Sequence, residues 1–199
     1  MKILIDNGHG IFTPGKRSPD GLFREAIFTR QIARRIVADL QDRGQDAQLL
    51  VPEDDDISLA ERCSRVNKQC LLHGKKNVIC VSIHVNASGN GQNWGKPRGW
   101  SVYTSKGQTA ADNLANCLAE AARKYLSNQT IRADWSDGDI DFEEGFYILR
   151  HTSCPAVLTE NMFMDNLQDL EFLESHSGQR AIIDLHVEGI IEFIETVSR

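Results

Sequence analysis

Short apolar runs alternate along the chain with longer stretches in which apolar residues recur every three or four positions. The first pattern predicts strands and the second amphipathic helices. Residues 3–6 read as a short buried strand, and residues 46–51, closed by Pro52, as another. The near-continuous run Val78, Ile79, Val81, Ile83 and Val85 within residues 77–85 predicts a central strand covered on both faces. Segments 100–105, 147–150 and 156–163 bring the count to about six strands. Helices are predicted over 24–43, from 58 to about 72, and over 109–126, 166–173 and 180–197. In the first, Ile27, Phe28, Ile32, Ile36, Val37 and Leu40 form one stripe, and Gly44 supplies the stop. Ser58-Leu59-Ala60-Glu61 has the form of a capping box that opens the second. The polar segments 89–99 and 127–145 read as loops. This alternation predicts an α/β fold: one domain over 1–199, with a mixed, mostly parallel sheet flanked by helices on both faces.

Composition narrows the function class. The chain has 199 residues, 41% hydrophobic and 25% charged, which suits a soluble globular protein that needs no staples. A formal net charge of −6 argues against a nucleic-acid partner, because phosphate contacts require a basic face. The five cysteines, Cys63, Cys70, Cys80, Cys117 and Cys154, make no CxxC pair and read as buried free thiols of a chain made in a reducing compartment. No apolar stretch approaches the ~18 residues of a membrane helix, so no membrane insertion is expected. Met1 and Lys2 lead straight into a strand, with no signal-peptide pattern. Synthesis in the cytoplasm is therefore expected, with a leader removed or another exit route. Nothing in the pattern sets the oligomeric state.

In open α/β sheets, ligands bind beyond the carboxyl ends of the strands. The first strand is followed by Asn7-Gly8-His9-Gly10, and the long third strand carries His84 near its end. Glu25 stands in the first turn of the first helix. Two imidazoles and a carboxylate form a common tripod for catalytic zinc, with a fourth position open. Glu160, late in the segment 156–163, is placed to move a proton beside such an ion. Each residue also has an ordinary reading: a loop histidine, a first-turn glutamate favoured by the helix dipole, and a solvated strand-end charge. Asp6 is either a partner that orients a ligand imidazole or a plain strand-end carboxylate. His151 reads as a surface group, and His73, His176 and His186 as structural ones. Trp94 and Trp135 fall in the two loops. The acidic runs 53–56 and 137–144 read as solvated charges.

The run Ile3-Leu4-Ile5-Asp6-Asn7-Gly8-His9-Gly10 resembles the opening of the zinc-dependent N-acetylmuramoyl-L-alanine amidases, which include bacterial cell-wall amidases and phage endolysins. Four further blocks follow in the same order. They are Arg24-Glu25-Ala26, Ser58-Leu59-Ala60-Glu61-Arg62 with Val66-Asn67, Ser82-Ile83-His84-Val85-Asn86-Ala87, and the stretch from Tyr147 through Glu160 to Asn166. The resemblance implies that His9, Glu25 and His84 bind one Zn2+ ion and that Glu160 is the general base and acid. The substrate it implies is peptidoglycan, cut between N-acetylmuramic acid and L-alanine, with the enzyme acting on the cell wall. Asn86 then becomes a candidate contact to the stem peptide, its ordinary reading being a turn-forming residue. The chain departs from the pattern at Asn7, where the family usually has proline, and at Asn161-Met162, where it tends to have an apolar residue and glycine. Segment 127–145 is too short for the inhibitory helix of some periplasmic members, so no built-in plug is expected. A zinc peptidase acting within the stem peptides and an inactive wall-binding module are the competing readings. Phage lysin and bacterial remodelling amidase are both compatible with the residues.

Overall fold

The computed structural model describes residues 1–89, 91–136 and 138–198. Asn90 and Asp137, in the two predicted loops, and Arg199, at the end of the predicted domain, lie outside the described residues. The elements run β1 (Lys2–Asn7), α1 (Glu25–Asp42), β2 (Asp46–Leu49), α2 (Leu59–His73), β3 (Val78–Asn86), β4 (Ser101–Thr104), α3 (Ala110–Tyr125), β5 (Phe142–Glu143), α4 (Tyr147–His151), β6 (Ala156–Phe163), α5 (Leu167–Glu174) and α6 (His176–Val197). The six strands form one sheet in the order β2-β1-β3-β6-β4-β5. β1, β2, β3 and β6 run parallel, and β4 is antiparallel to β6. The expected mixed, mostly parallel sheet is present.

Side chains alternate across the sheet with period two, and each face has its own cover. Ile3, Ile5, Ile79, Val81, Ile83 and Val157 face the larger core, built with α1, α3 and α6. There Gly189 lets α6 close on α3, because a Cβ at that position would meet the Leu118 Cα at 2.8 Å. Leu4, Val78, Cys80 and Leu158 face a smaller core under α2 and α4, with Cys63, Val66 and Ile148. Three cysteines are buried and Cys117 and Cys154 half-buried, all as free thiols.

Four local expectations need correction. Residues 147–150 form the single helical turn α4, not a strand: Leu149 and Arg150 both donate backbone bonds to the Phe146 carbonyl. Four residues are too few for periodicity to separate the two states. The sixth strand is instead the two-residue β5, inside the segment read as loop. The last helix starts at His176, because Ser175 caps the Gly178 amide and Gly178 fits where a Cβ would lie 1.9 Å from the Phe172 carbonyl oxygen. Ile27, placed on the inward stripe of α1, is 54% exposed. The acidic run 137–144 is not uniformly solvated either, since Asp141 is buried.

Candidate active site

Period two also selects the chemistry. Residues 78, 80, 82 and 84 of β3 share the face that carries the smaller core. Towards the carboxyl ends of the strands, the apolar residues on this face give way to Asp6, Ser82, His84 and Glu160. These line a cleft of about 640 Å3 with His9, Lys16, Arg62, Tyr147 and others. A groove of about 740 Å3, near Lys75, Thr109 and Phe193, contains none of the four candidate residues.

His9 sits just past β1 with φ 59°, in the left-handed region. Its carbonyl accepts bonds from Arg30 Nη1 at 2.8 Å and Arg62 Nη2 at 3.2 Å. Arg62 is 2% exposed; its Nη1 also donates to Asp6 Oδ1 and to the Asn7 carbonyl, both at 2.6 Å. The second Asp6 oxygen accepts from the Ser82 hydroxyl at 2.5 Å. Asp6 therefore braces the strand end through Arg62 and Ser82 and makes no bond to either imidazole. Gly8 is required sterically, because a Cβ there would fall 2.5–2.9 Å from the His84 ring.

Glu25 opens α1 and is 1% exposed. Its Oε1 lies 3.1 Å from His84 Nδ1 and 3.6 Å from His9 Nε2. The two imidazoles meet edge to face with centroids 5.0 Å apart. One ligand atom from each of the three residues lies within 4.8 Å of the other two. The Val85 amide donates to Glu25 Oε1 at 3.0 Å, while Oε2 is buried without a partner. Glu160 pairs with His84 across the β3–β6 register, and its Oε2 is also buried and unpartnered. A register shift between His84 and Asn86 follows directly.

The electrostatics follow from burying two carboxylates and two imidazoles together. Burial lowers His9 to a pKa of about 4, against the pull of Glu25. Burial opposes ionisation of His84 too, but the hydrogen bond and charge of Glu25 outweigh it and raise the group. Glu25 is raised by burial and lowered more by His84 and His9, so it stays below the usual carboxylate range. Burial pushes Glu160 up to about 7, with the Glu25 charge adding to the shift and His84 opposing it.

This donor set fits a borderline-soft cation. Two tetrahedral zinc ligands at about 2.0–2.1 Å from the metal lie roughly 3.4 Å apart, and the Glu25 contacts of 3.1 and 3.6 Å bracket that separation. Among the described residues Glu25 pairs with no lysine or arginine, so its buried charge lacks a permanent counter-ion.

The structure thus brings His9, Glu25, His84 and Glu160 together and leaves Asn86 aside. Asn86 Oδ1 accepts from the Ala87 amide at 2.8 Å, and the residue does not line the cleft. His151 is exposed and stacks on Tyr147 at 3.9 Å. His186 is buried, while His73 and His176 are exposed. Trp94 and Trp135 are 39% and 60% exposed. Met162, where the family pattern tends to have glycine, adopts φ 67°. Its neighbour Asn161 holds the backbone by donating to the His84 carbonyl at 3.0 Å and accepting from Trp100 Nε1 at 3.1 Å. The sequence motif that contains Arg62 predicts no role for it. The available signal was its place on the inward stripe of α2 with Val66 and Cys70, at i, i+4 and i+8.

Known proteins resemble this chain in sequence and in fold. The N-acetylmuramoyl-L-alanine amidase family model matches residues 3–192. The endolysin of Bacillus phage SPP1 is 28% identical over 196 residues, covering 96% of this chain and 65% of the relative. The amidase CwlM of Bacillus licheniformis is 28% identical over 198 residues, covering 96% and 67%. This chain therefore spans about two thirds of the length of these relatives. Among solved structures, the catalytic domain of CwlV from Bacillus (Paenibacillus) polymyxa superposes with a TM-score of 0.81 at 24% identity, covering 98% and 99% of the two chains. An amidase from Clostridium difficile 630 gives 0.80 at 23%, covering 98% and 97%. From the match over nearly its whole length, this chain belongs to the N-acetylmuramoyl-L-alanine amidase family.

Proposed function

We propose that this chain hydrolyses the amide bond between N-acetylmuramic acid and L-alanine in peptidoglycan. In this reading His9, Glu25 and His84 hold one zinc ion and Glu160 moves the proton. Bound there, zinc would polarise the scissile carbonyl and bring the pKa of a water towards about 7. The residues supply the rest. Glu160 lies beside His84 with a free buried oxygen and a pKa near 7, so both its protonation states are accessible near neutrality. It can take a proton from the attacking water and return it to the alanine nitrogen. Arg30 and Arg62 fix the His9 backbone, and Gly8 leaves room for the His84 ring. Leu59, Phe146 and Tyr147 give the cleft an apolar wall beside the charged floor.

One observation carries the reading. Three donors from separate elements converge within 4.8 Å, and a second carboxylate, Glu160, sits next to His84 with an oxygen that no protein donor uses. Action on the cell wall follows from the substrate. The test is mass spectrometry of digested, purified peptidoglycan, with zinc content measured on the same sample. Release of intact stem peptides with a free alanine amino group, one zinc per chain, and loss of activity in chelator reversed by zinc are expected. Cuts within the stem peptide would replace the proposal with a peptidase. Intact peptidoglycan from zinc-loaded protein would leave a binding module.

A further inference from the structure

Three carboxylates also meet at the other end of the sheet. β4 is antiparallel to β6, so it runs from Ser101 beside Glu160 to Tyr103 beside Leu158 and then to Thr104, away from the cleft. There Asp139 and Asp141, just before β5, approach Asp112 in the first turn of α3. One oxygen from each lies within 4.8 Å of the other two. Asp141 is 1% exposed. Its Oδ2 accepts from the Thr104 hydroxyl at 2.5 Å, while its Oδ1 is buried and receives no hydrogen bond. Asp139 approaches closely enough that a hydrogen between the two carboxyls would bond them. Asp112 is oriented by the Thr109 amide at 2.6 Å and the Thr109 hydroxyl at 3.1 Å.

Carboxylates at this spacing, Asp141 buried and Asp112 and Asp139 half-buried, repel one another, and a buried oxygen without a donor is costly. A cation resolves both problems at once. The donors are all oxygen, which suits a hard ion. Calcium binds oxygens at 2.3–2.6 Å, so two of its ligands are separated by at most roughly 5 Å, and the observed limit of 4.8 Å fits that span. We propose that Asp112, Asp139 and Asp141, with the Thr104 hydroxyl beside them, form a calcium site that ties the loop before β5 to the start of α3. Burial, with the Asp112 charge adding to it, holds the Asp141 carboxyl above the usual range. The site is remote from the cleft, so the proposal does not rest on the amidase reading.

The test is calorimetric titration of the zinc-loaded chain with calcium chloride, paired with thermal melts in calcium or magnesium. One calcium per chain should bind, saturating below about 1 mM. At ten times Kd the melting temperature should rise by roughly 3–6 °C. Magnesium should give a smaller shift. Asp139→Asn and Asp141→Asn should each abolish the calcium heat; the second keeps its shape and an acceptor for Thr104. No calcium heat in the wild type up to about 10 mM overturns the proposal, whether or not the variants fold. A heat that persists in either variant, or equal responses to the two metals, also overturns it.

Discussion

The two faces of the sheet teach opposite lessons. Under α1, α3 and α6 the contacts are mostly aliphatic, with Ile5, Ile83, Leu114, Leu118 and Ile182 all fully buried. Under α2 and α4 the same alternation yields Leu4, Cys80 and Leu158 at one end and Asp6, Ser82, His84 and Glu160 at the other. The first face supplies stability, because burial is proportional to apolar area and indifferent to chemistry. The second spends part of its area on groups that cost energy to bury. It recovers that cost through a network: Arg62 on Asp6, Ser82 on Asp6, and two imidazoles on Glu25. Glu160 keeps an oxygen outside the network.

The largest expected effect tests the chemical face. Glu160→Gln should fold, keep its zinc and lose about 10²–10⁴-fold in rate on peptidoglycan. Wild-type lysis by that variant would remove Glu160 from the mechanism. Next comes the packed face, where Leu118→Ala should cost about 2–5 kcal/mol in chemical denaturation. Once the variant is folded its zinc content should be unchanged. A loss of zinc at temperatures where it remains folded would show that the two faces are not independent.

A third prediction joins the faces through His186. This residue sits on α6, is fully buried, and bonds Thr159 beside Glu160. Its Nδ1 lies 2.7 Å from the Ile182 carbonyl, so Nδ1 donates there and Nε2 accepts from the Thr159 hydroxyl. Burial lowers its pKa from 6.5 to about 4. Between those values the unfolded chain binds more protons than the native one, so stability rises with pH. The contribution is intact above pH 6.5 and is lost as the pH falls towards 4, by up to roughly 3 kcal/mol. His186→Gln should therefore show a shallower dependence of stability on pH over that window. Identical slopes for the two proteins would sink the assignment.

The smallest effect concerns the entry to the chemical face. Ser58 caps α2 by accepting from the Glu61 amide at 3.2 Å, and α2 carries Arg62. Ser58→Ala should cost about 1 kcal/mol in stability, with zinc binding kept. A marked fall in zinc affinity would mean that the cap also sets the position of Arg62.

The ladder of elements was legible because periodicity is a local property. Long segments such as α1, β3 and α3 fell where the pattern put them. The four-residue segment at 147–150 was ambiguous for the same reason, since it is shorter than the repeat that would classify it. His9, Glu25, His84 and Glu160 were readable as residues that follow or end predicted elements. Their convergence was implied by the family resemblance alone, because nothing local relates the start of α1 to the end of β3.

By itself the sequence determined the α/β class, the alternation that divides residues between two faces, and the types of donor at the element ends. Tertiary structure alone decided the distances at which those donors meet, that Asn86 Oδ1 accepts from the Ala87 amide, and that Arg62 anchors the His9 backbone. It also decided that Asp141, in a run that looks solvated, is buried against Thr104. The reason is range. Periodicity and capping act over a few residues, whereas desolvation and charge coupling depend on neighbours dozens of positions away that only the packed sheet brings near.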